Sequence, residues 1–490
     1  MKRSGILMHL SSLPSNYGIG TMGEQAYKFI DFLAESKSSI WQVLPLGQTG
    51  YGDSPYQSVS SFAGNPYFID LDVLVTEGLL SKSDLPKQMK NQTAVNFGEL
   101  YNERYSTLKK SFDENFYKIS SEVATFKESH DWADDYSIFM ALKKHFDGKS
   151  WLDWDDEKAR VYDKNAINAY KTMLKEDVDF YCYIQYLFFK QWKSLREYAN
   201  KKGIKICGDL PIYCALDSAD VWANSSCFEL SDKKVPKSVA GVPPDYFSAD
   251  GQLWGNPLYD WKLLEMTHYE FWVKRMRATS ELFDIARIDH FIGFVNYYSI
   301  EATATTAKEG VWKQGPKHAL FKAIKNRVPE LEIIAEDLGS LSQEVTDLKN
   351  DFAYPGMHVL MFMIPLQKTH NDEYLPLKIT ENSVFYTGTH DNNTTLGWWK
   401  ELDDNSKKSI LESFKISSEK YIVKNLIKVC FASDSETVII PIQDHLNLGA
   451  DARMNTPGTS ENNWQFRIKN GETSKALAKR IAKLNKKYNR

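Results

Sequence analysis

The sequence of 490 residues has no long apolar run, no cysteine framework and no excess of one charge, and each absence removes a class of protein. No segment reaches the roughly 20 apolar residues that a membrane-spanning helix needs. The opening "MKRSGILMHLSSLPSNYGIG" begins with two basic residues, but its apolar stretch is only about five residues, short of the core of a secretory signal. Cys182, Cys207, Cys214, Cys227 and Cys430 are odd in number and lack CxxC spacing, so neither a disulfide scaffold nor a zinc site is expected. That usage suits a reduced, cytoplasmic setting. Lys and Arg total 60 against 64 Asp and Glu, a net charge of -4, and the basic residues are spread along the chain, which leaves no footprint for nucleic acid. The lysine-rich "KALAKRIAKLNKKYNR" reads as a solvated amphipathic helix. No GxGxxG or Walker-type glycine loop follows the first strand candidate, which argues against a nucleotide-binding fold.

Aromatic residues, in contrast, reach 13%, with 13 Trp and 26 Tyr. Their flat apolar faces and polar edges suit either stacking on sugar rings or simply a larger core. Eight short apolar, β-branched runs recur, each closed by a polar or small residue: "GILMHL" (5–10), "IWQVLPL" (40–46), "IKICGDLP" (204–211), "IARIDH" (285–290), "LEIIAEDL" (331–338), "MHVLMF" (357–362), "SVFYTGTHD" (383–391) and "TVIIPIQD" (437–444). Helix-period segments lie between most of them, such as 24–36, 259–283 and 318–328. Strands buried on both faces and alternating with helices predict an α/β fold, a (β/α)₈ TIM barrel, with a doubly wound open sheet as the alternative.

The length fits one catalytic barrel domain over 1–490 that carries insertions. Residues 70–178 form a predicted helical insertion between the second and third barrel strands, with helical stretches at 135–146 and 156–174. The segment 178–203 is then the barrel helix leading into strand three, stopped by Gly203. Residues 215–258 form a predicted loop insertion between strands three and four; together with the adjoining "VPPDYFSADGQLWGNPLYDW" (242–261) it reads as an ordered functional loop. No C-terminal β-sandwich domain is expected.

A barrel projects the polar residues that close its strands into the C-terminal mouth, where barrel enzymes place their chemistry. Those residues are Asp209 after strand three, Arg287, Asp289 and His290 after strand four, Glu336 and Asp337 after strand five, and His390 and Asp391 after strand seven. Taken singly, each has a plain structural reading: an internal ion pair, a loop cap or Mg²⁺ pair, a turn, a strand terminator. Four strand ends converging on one rim favour glycoside chemistry, in which an ionised carboxylate attacks the anomeric carbon and a protonated one assists the leaving oxygen. Arg287, two positions from Asp289 on the same strand face, favours its ionised form; neighbouring carboxylates should raise the proton affinity of Glu336.

The chain resembles the 4-alpha-glucanotransferases (amylomaltases, disproportionating enzymes; glycoside hydrolase family 77). The likeness runs nearly end to end, through "SSLPSNYGIG" (11–20), "WQVLPLGQTGYGDSPYQSVSSFAGNP" (41–66), "GDLPIY", "LWGNPLY", "ARIDHF", "AEDLG", "GTHDN" and "ARMNTPGTSENNWQFR" (452–467). The resemblance implies Asp289 as nucleophile, Glu336 as general acid/base and Asp391 as transition-state stabiliser. It also implies that Arg287, Asp209 and His390 partner them, the last two holding sugar hydroxyls. Trp254 would lie over the cleft, Ser54, Tyr56, Gln252, His290 and Asn463 would touch the glucan, and Tyr51 would mark a secondary glucan site. Ile292, Tyr298 and Met361 depart from the family pattern, where Arg, Trp and Gln are usual, and bear on subsite preference.

The expectation is therefore a cytoplasmic retaining 4-alpha-glucanotransferase acting on α-1,4-glucans, maltooligosaccharides and glucose without cofactor, metal, nucleic acid or membrane. A retaining α-glucan hydrolase would carry the same carboxylates. A non-catalytic glucan-binding scaffold would have lost one of them, which this chain has not.

Overall fold

The computed structural model describes residues 2–50, 52–87, 92–244, 249–339, 341–364 and 377–490. Twelve strands are described: β1 (Arg3–Leu7), β2 (Ile40–Gln42), β3 (Lys205–Leu210), β4 (Ser238–Val242), β5 (Gln252–Pro257), β6 (Ile285–Ile288), β7 (Asn296–Glu301), β8 (Gly310–Gln314), β9 (Glu332–Ala335), β10 (Gly356–Val359), β11 (Ser383–Tyr386) and β12 (Thr437–Pro441). Eight of them form one parallel sheet in the order β10-β11-β12-β1-β2-β3-β6-β9. The remaining seam, between β9 and β10, is closed by the Ala335 amide donating to the Pro355 carbonyl at 2.9 Å. Strands therefore neighbour one another in chain order all the way round. A doubly wound sheet would reverse direction at a switch point, and this one does not.

The eight barrel strands fall on the eight predicted runs. Leu7, Cys207, Ile285, Ile334, Val384 and Ile439 fill the interior cluster. Ile6, Ile206, Ala286 and Ile288, one residue out of phase, pack outward against the helices. Burial on both faces demands apolar residues at every position, which is why the runs are nearly unbroken. Each fully buried Ile or Leu contributes roughly 1.5–3 kcal/mol. The aromatic surplus serves this core first: Trp41, Trp151, Trp154, Trp192, Trp222 and Trp272 are all fully buried.

The 24–36 and 318–328 predictions correspond to helices Glu24–Glu35 and Lys317–Arg327, and the lysine-rich terminal segment to Lys475–Tyr488. Among the described residues from 70 to 178 lie the helices Leu71–Thr76, Phe97–Asn115, Ser120–Ser129 and Asp131–His145, and the helix Lys175–Lys201 follows, with Gly203 left-handed at φ +77°. Two predicted helices are broken. The 156–174 segment divides into Glu157–Arg160 and Lys164–Met173 at Tyr162, φ 58°, after which Asp163 caps the second piece by accepting from the Ala166 amide. The 259–283 segment divides into Trp261–Met266 and Glu270–Leu282 at His268 and Tyr269, both left-handed.

The 215–258 segment, predicted as a loop, carries β4 and β5. They pair with each other, and β4 also pairs with β7, which with its neighbour β8 comes from the connection after β6, in an antiparallel sheet of order β5-β4-β7-β8. The partners of β4 come from both sides of β6 in the chain, so no local hairpin signal announces the sheet. Tyr298 of β7 lies in its small apolar cluster and packs against Trp312 at 5.2 Å between ring centres.

Candidate active site

The strand register explains how the site assembles. Arg287 pairs with Asp209 on β3 and with Ile334 on β9, so its side chain shares the interior face with both neighbours. The ladder runs on past the strand ends: the Asp289 amide donates to the Leu210 carbonyl and the Glu336 amide to the Ile288 carbonyl, each at 3.0 Å. Both carboxylates are thereby fixed at the mouth.

Arg287 joins the two roles that its sequence position left open. Its Nη1 donates to both oxygens of Asp209, at 2.8 and 2.7 Å, and also lies 3.0 Å from Oδ1 of Asp289. Nε is directed at the sulfur of Met357 at 3.3 Å. The Arg287 and Asp209 side chains are 5% and 0% exposed, whereas Asp289 is 31% exposed. The pair with Asp209 is thus an internal ion pair, and Asp289 is the carboxylate that the same guanidinium presents to the cleft. Burial pushes the Asp209 carboxyl upward, and the guanidinium of Arg287, bonded to both of its oxygens, pulls the other way. Tyr56 donates its hydroxyl to Asp209 at 2.9 Å, so both oxygens of this aspartate are engaged and it acts on the site through Arg287 and Tyr56. Replacing Arg287 by Met would leave Asp209 buried without its counter-charge. The expected result is a loss of roughly 3–5 kcal/mol in urea unfolding together with loss of activity.

Glu336 sits differently. Its Oε2 accepts from the His290 amide at 2.8 Å and its Oε1 from the Leu338 amide at 2.9 Å. Its pKa is raised from the ordinary 4.5 to about 7, first by burial and then by Asp289, against the opposing pull of Arg287 and the two amides. The rise expected from neighbouring carboxylates is present, but burial is its larger cause. His290 adopts a left-handed conformation, φ 51° and ψ 50°, which turns its amide to Glu336. Its ring, held neutral by burial, meets Trp254 edge-on at 4.9 Å. Asp337, by contrast, is used structurally: it pairs with Lys349 at 2.6 Å and accepts from the Met357 amide at 2.7 Å.

On the loop after β11, His390 Nε2 lies 3.4 Å from Oδ1 of Asp391, and its ring stacks on Tyr56 at 5.2 Å with a 16° tilt. Asp391 is held by two residues that sequence reasoning did not select. Asn455 Nδ2 donates to Oδ1 at 2.7 Å, and Arg453 Nη2 donates to the Asp391 carbonyl at 2.6 Å. Both lie within the "ARMNTPGTSENNWQFR" stretch, from which only Asn463 had been chosen. Asn463 itself closes its own loop, accepting from the Thr456 amide and donating to the Thr459 carbonyl, each at 2.9 Å.

The other expected glucan contacts gather along this rim. Ser54 Oγ accepts from the Tyr56 amide at 3.3 Å and shapes the turn that delivers Tyr56. Gln252 Oε1 accepts from Trp254 Nε1 at 3.1 Å and fixes the indole plane. Trp464 stands near both Tyr56 and His390, at 5.8 and 6.0 Å. Tyr51 lies outside the described residues. Of the departures from the family pattern, Ile292 packs on the main core, and Met361 places its methyl group against Gly388, at the foot of the His390 loop.

A parallel eight-stranded barrel with two carboxylates on adjacent strand ends, one enclosed and the other against an arginine, and aromatic rings at its rim defines an enzyme of the glycoside-processing class. Comparison with known proteins makes this specific. A profile of glycoside hydrolase family 77, described as 4-alpha-glucanotransferase, matches residues 8–473. The 4-alpha-glucanotransferase of Clostridium butyricum is 45% identical over 488 residues, covering 99% of this chain and 100% of that protein. That of Thermus thermophilus is 42% identical, covering 96% and 95%. The structure of the amylomaltase from Streptococcus agalactiae, solved in complex with acarbose, superposes with a TM-score of 0.96 at 38% identity, covering 100% of each chain. The amylomaltase from Corynebacterium glutamicum, at 16% identity and a TM-score of 0.77, shares the fold over 99% of this chain and 75% of its own. The chain belongs to the 4-alpha-glucanotransferase family, glycoside hydrolase family 77.

Proposed function

We propose that this protein is a retaining 4-alpha-glucanotransferase that disproportionates maltooligosaccharides through Asp289, Glu336 and Asp391. The observation that carries the reading is the contrast between adjacent strand ends: the carboxyl of Glu336 is raised to about 7 by burial, while Asp289 lies in contact with a guanidinium. In the first step Asp289 attacks the anomeric carbon of a bound α-1,4-glucan. The C1–O bond breaks, and Glu336 gives its proton to the departing 4-oxygen. In the second step Glu336, now ionised, takes the proton of an acceptor 4-hydroxyl, whose oxygen attacks C1 and expels Asp289. Two inversions restore the α-linkage. Asp391, steadied by Asn455, faces the positive charge that develops on the ring. Trp254, Tyr56 and His390 present rings and polar edges to the sugar.

Transfer rather than hydrolysis is supported by the full-length identity to 4-alpha-glucanotransferases. Physically it requires an acceptor sugar to occupy the site ahead of water, a task for the loop that bears Tyr56 and the strand β5 that bears Trp254. The donor is an α-1,4-glucan, and the acceptor a second glucan or glucose. All five cysteines are free thiols, which suits a reduced, cytoplasmic setting for the reaction; no described helix is long and apolar enough to cross a membrane.

Incubation with maltotriose alone tests the proposal. Glucose and a ladder of longer glucans should accumulate while total reducing ends stay constant. Rising reducing ends without longer products would make the protein a hydrolase, and an unchanged substrate would make it a scaffold.

A further inference from the structure

The loop between β11 and the helix Thr395–Glu401 carries His390 and Asp391, yet it has no strand or helix of its own to hold it. What fixes it lies beneath, just past the end of the neighbouring strand β12. Asp444, in the short helix Ile442–Leu446 that follows β12, is 3% exposed. One of its oxygens accepts from the Thr387 hydroxyl at 2.5 Å and from the Thr395 hydroxyl at 2.7 Å. The other accepts from the Thr395 amide at 2.7 Å. Thr387 is the first residue after β11, and Thr395 opens the helix. Both ends of the loop therefore stand on a single buried carboxylate.

Between those anchors the loop is braced from outside by Arg453 and Asn455, which bond to Asp391 and His390, and from within by short bonds of its own. The Thr389 amide and hydroxyl donate to Asn392 Oδ1 at 2.8 and 3.0 Å, and the Asp391 amide donates to the Thr389 hydroxyl oxygen at 3.3 Å. Those bonds set the shape of the loop; Arg453 and Asn455 hold its tip, and the Asp444 anchors fix its two ends relative to the barrel rim. Burial works against an ionised Asp444, and its three donated hydrogen bonds work in favour of it. All three of these hydrogen bonds come from the loop's two ends.

We propose that Asp444 is a positioning residue for glucan transfer, tethering Thr387 and Thr395 so that Asp391 is held where charge develops on the reacting sugar. The proposal rests on the role assigned to Asp391 above. Displacing a reacting group by about 1 Å typically costs on the order of 100-fold in rate.

The test is steady-state maltotriose disproportionation by Asp444→Ala, Asp444→Asn, Thr387→Val and Thr395→Val, with Asp391→Asn alongside and folding followed by circular dichroism. Asp444→Ala should lower kcat about 100-fold while KM stays within about threefold, because the loop is misplaced while the rest of the glucan cleft is kept. Asparagine, which can still accept from the Thr395 amide, should recover most of the rate, and each Val variant should lose several-fold, roughly in proportion to the bonds removed. If the Ala variant does not fold, the two Val variants carry the same test through kcat and KM. Wild-type kcat in Asp444→Ala or in both Val variants, or a loss confined to KM, overturns the tether. An active Asp391→Asn would instead overturn the role of Asp391 itself, so the two failures are distinguishable.

Discussion

Replacing Asp289 by asparagine is expected to lower the rate of maltotriose disproportionation by roughly four to six orders of magnitude, the scale seen when a covalent nucleophile is removed. The substitution is nearly isosteric, and an amide oxygen at the same place can still accept from Arg287. Asp289 is 31% exposed, so its ion pair with Arg287 should contribute no more than about 1 kcal/mol to stability. The variant should therefore unfold close to the wild-type temperature while failing to form a glucosyl-enzyme. This pairing of results separates the two meanings of an Arg-x-Asp strand. A purely structural ion pair would give the reverse, a lower melting temperature with activity retained. Measuring the glucose released and the longer glucans formed, together with the melting temperature, decides between them. Residual transfer above about 1% of wild type would remove Asp289 from the nucleophile's position.

The second large effect concerns Glu336, which must be protonated for the first step. With its pKa raised to about 7, kcat/KM for maltotriose should fall as pH rises through that value, and Glu336→Gln should abolish this alkaline limb. The Gln variant should lose about 1,000-fold on maltotriose, within the usual range for general acid–base assistance. On an α-maltosyl fluoride, whose leaving group needs no proton, the first step should survive and the covalent adduct should accumulate, visible as added mass on the intact protein. Retention of the alkaline limb in the variant would show that another group titrates there.

Stability should move in the opposite direction to activity. A carboxyl whose folded pKa lies above its unfolded value contributes stability that is fully present below about 4.5 and is lost as pH rises through about 7. Glutamine stays neutral over that window. Relative to wild type, Glu336→Gln should gain up to roughly 3 kcal/mol between those limits, less what its amide loses by facing one of the two donated N–H groups. Unfolding midpoints at pH 5 and pH 8 measure the change. A constant difference between the two proteins would mean that Glu336 is not raised in the folded state.

The barrel was legible because its strands are buried on both faces. Such strands must be apolar throughout, so "IARIDH" or "TVIIPIQD" announces itself without knowledge of its neighbours. The antiparallel sheet was not legible. "SVAGV" and "QLWGNP" resemble loop sequence, and the strand pair they form is extended by pairing of β4 with β7, which lies beyond β6 in the chain. The two helix breaks were hidden for a related reason: Tyr162, His268 and Tyr269 are left-handed without being glycine, so residue type gives no warning.

The site divides along the same line. Asp209, Arg287, Asp289, Glu336, His390 and Asp391 were readable at strand ends because the barrel's geometry sends every strand end to one rim. The groups that give them their properties were not. Arg453 and Asn455 reach Asp391, and Asp444 reaches Thr387 and Thr395, through side-chain hydrogen bonds that leave no periodic trace in the sequence.

By itself, then, the sequence determined the alternation of buried strands and helices and the carboxylates at the strand ends, since hydrophobic pattern and strand phase are local properties, while closure of the sheet into a barrel in chain order came from the strand pairing. Only the tertiary structure decided which carboxylate is protonated and which is paired. Those outcomes depend on burial and on distances of about 3 Å between residues far apart in the chain: Arg287 divides its charge between Asp209 and Asp289, while Glu336, enclosed and met by only two amides, keeps its proton to near neutrality.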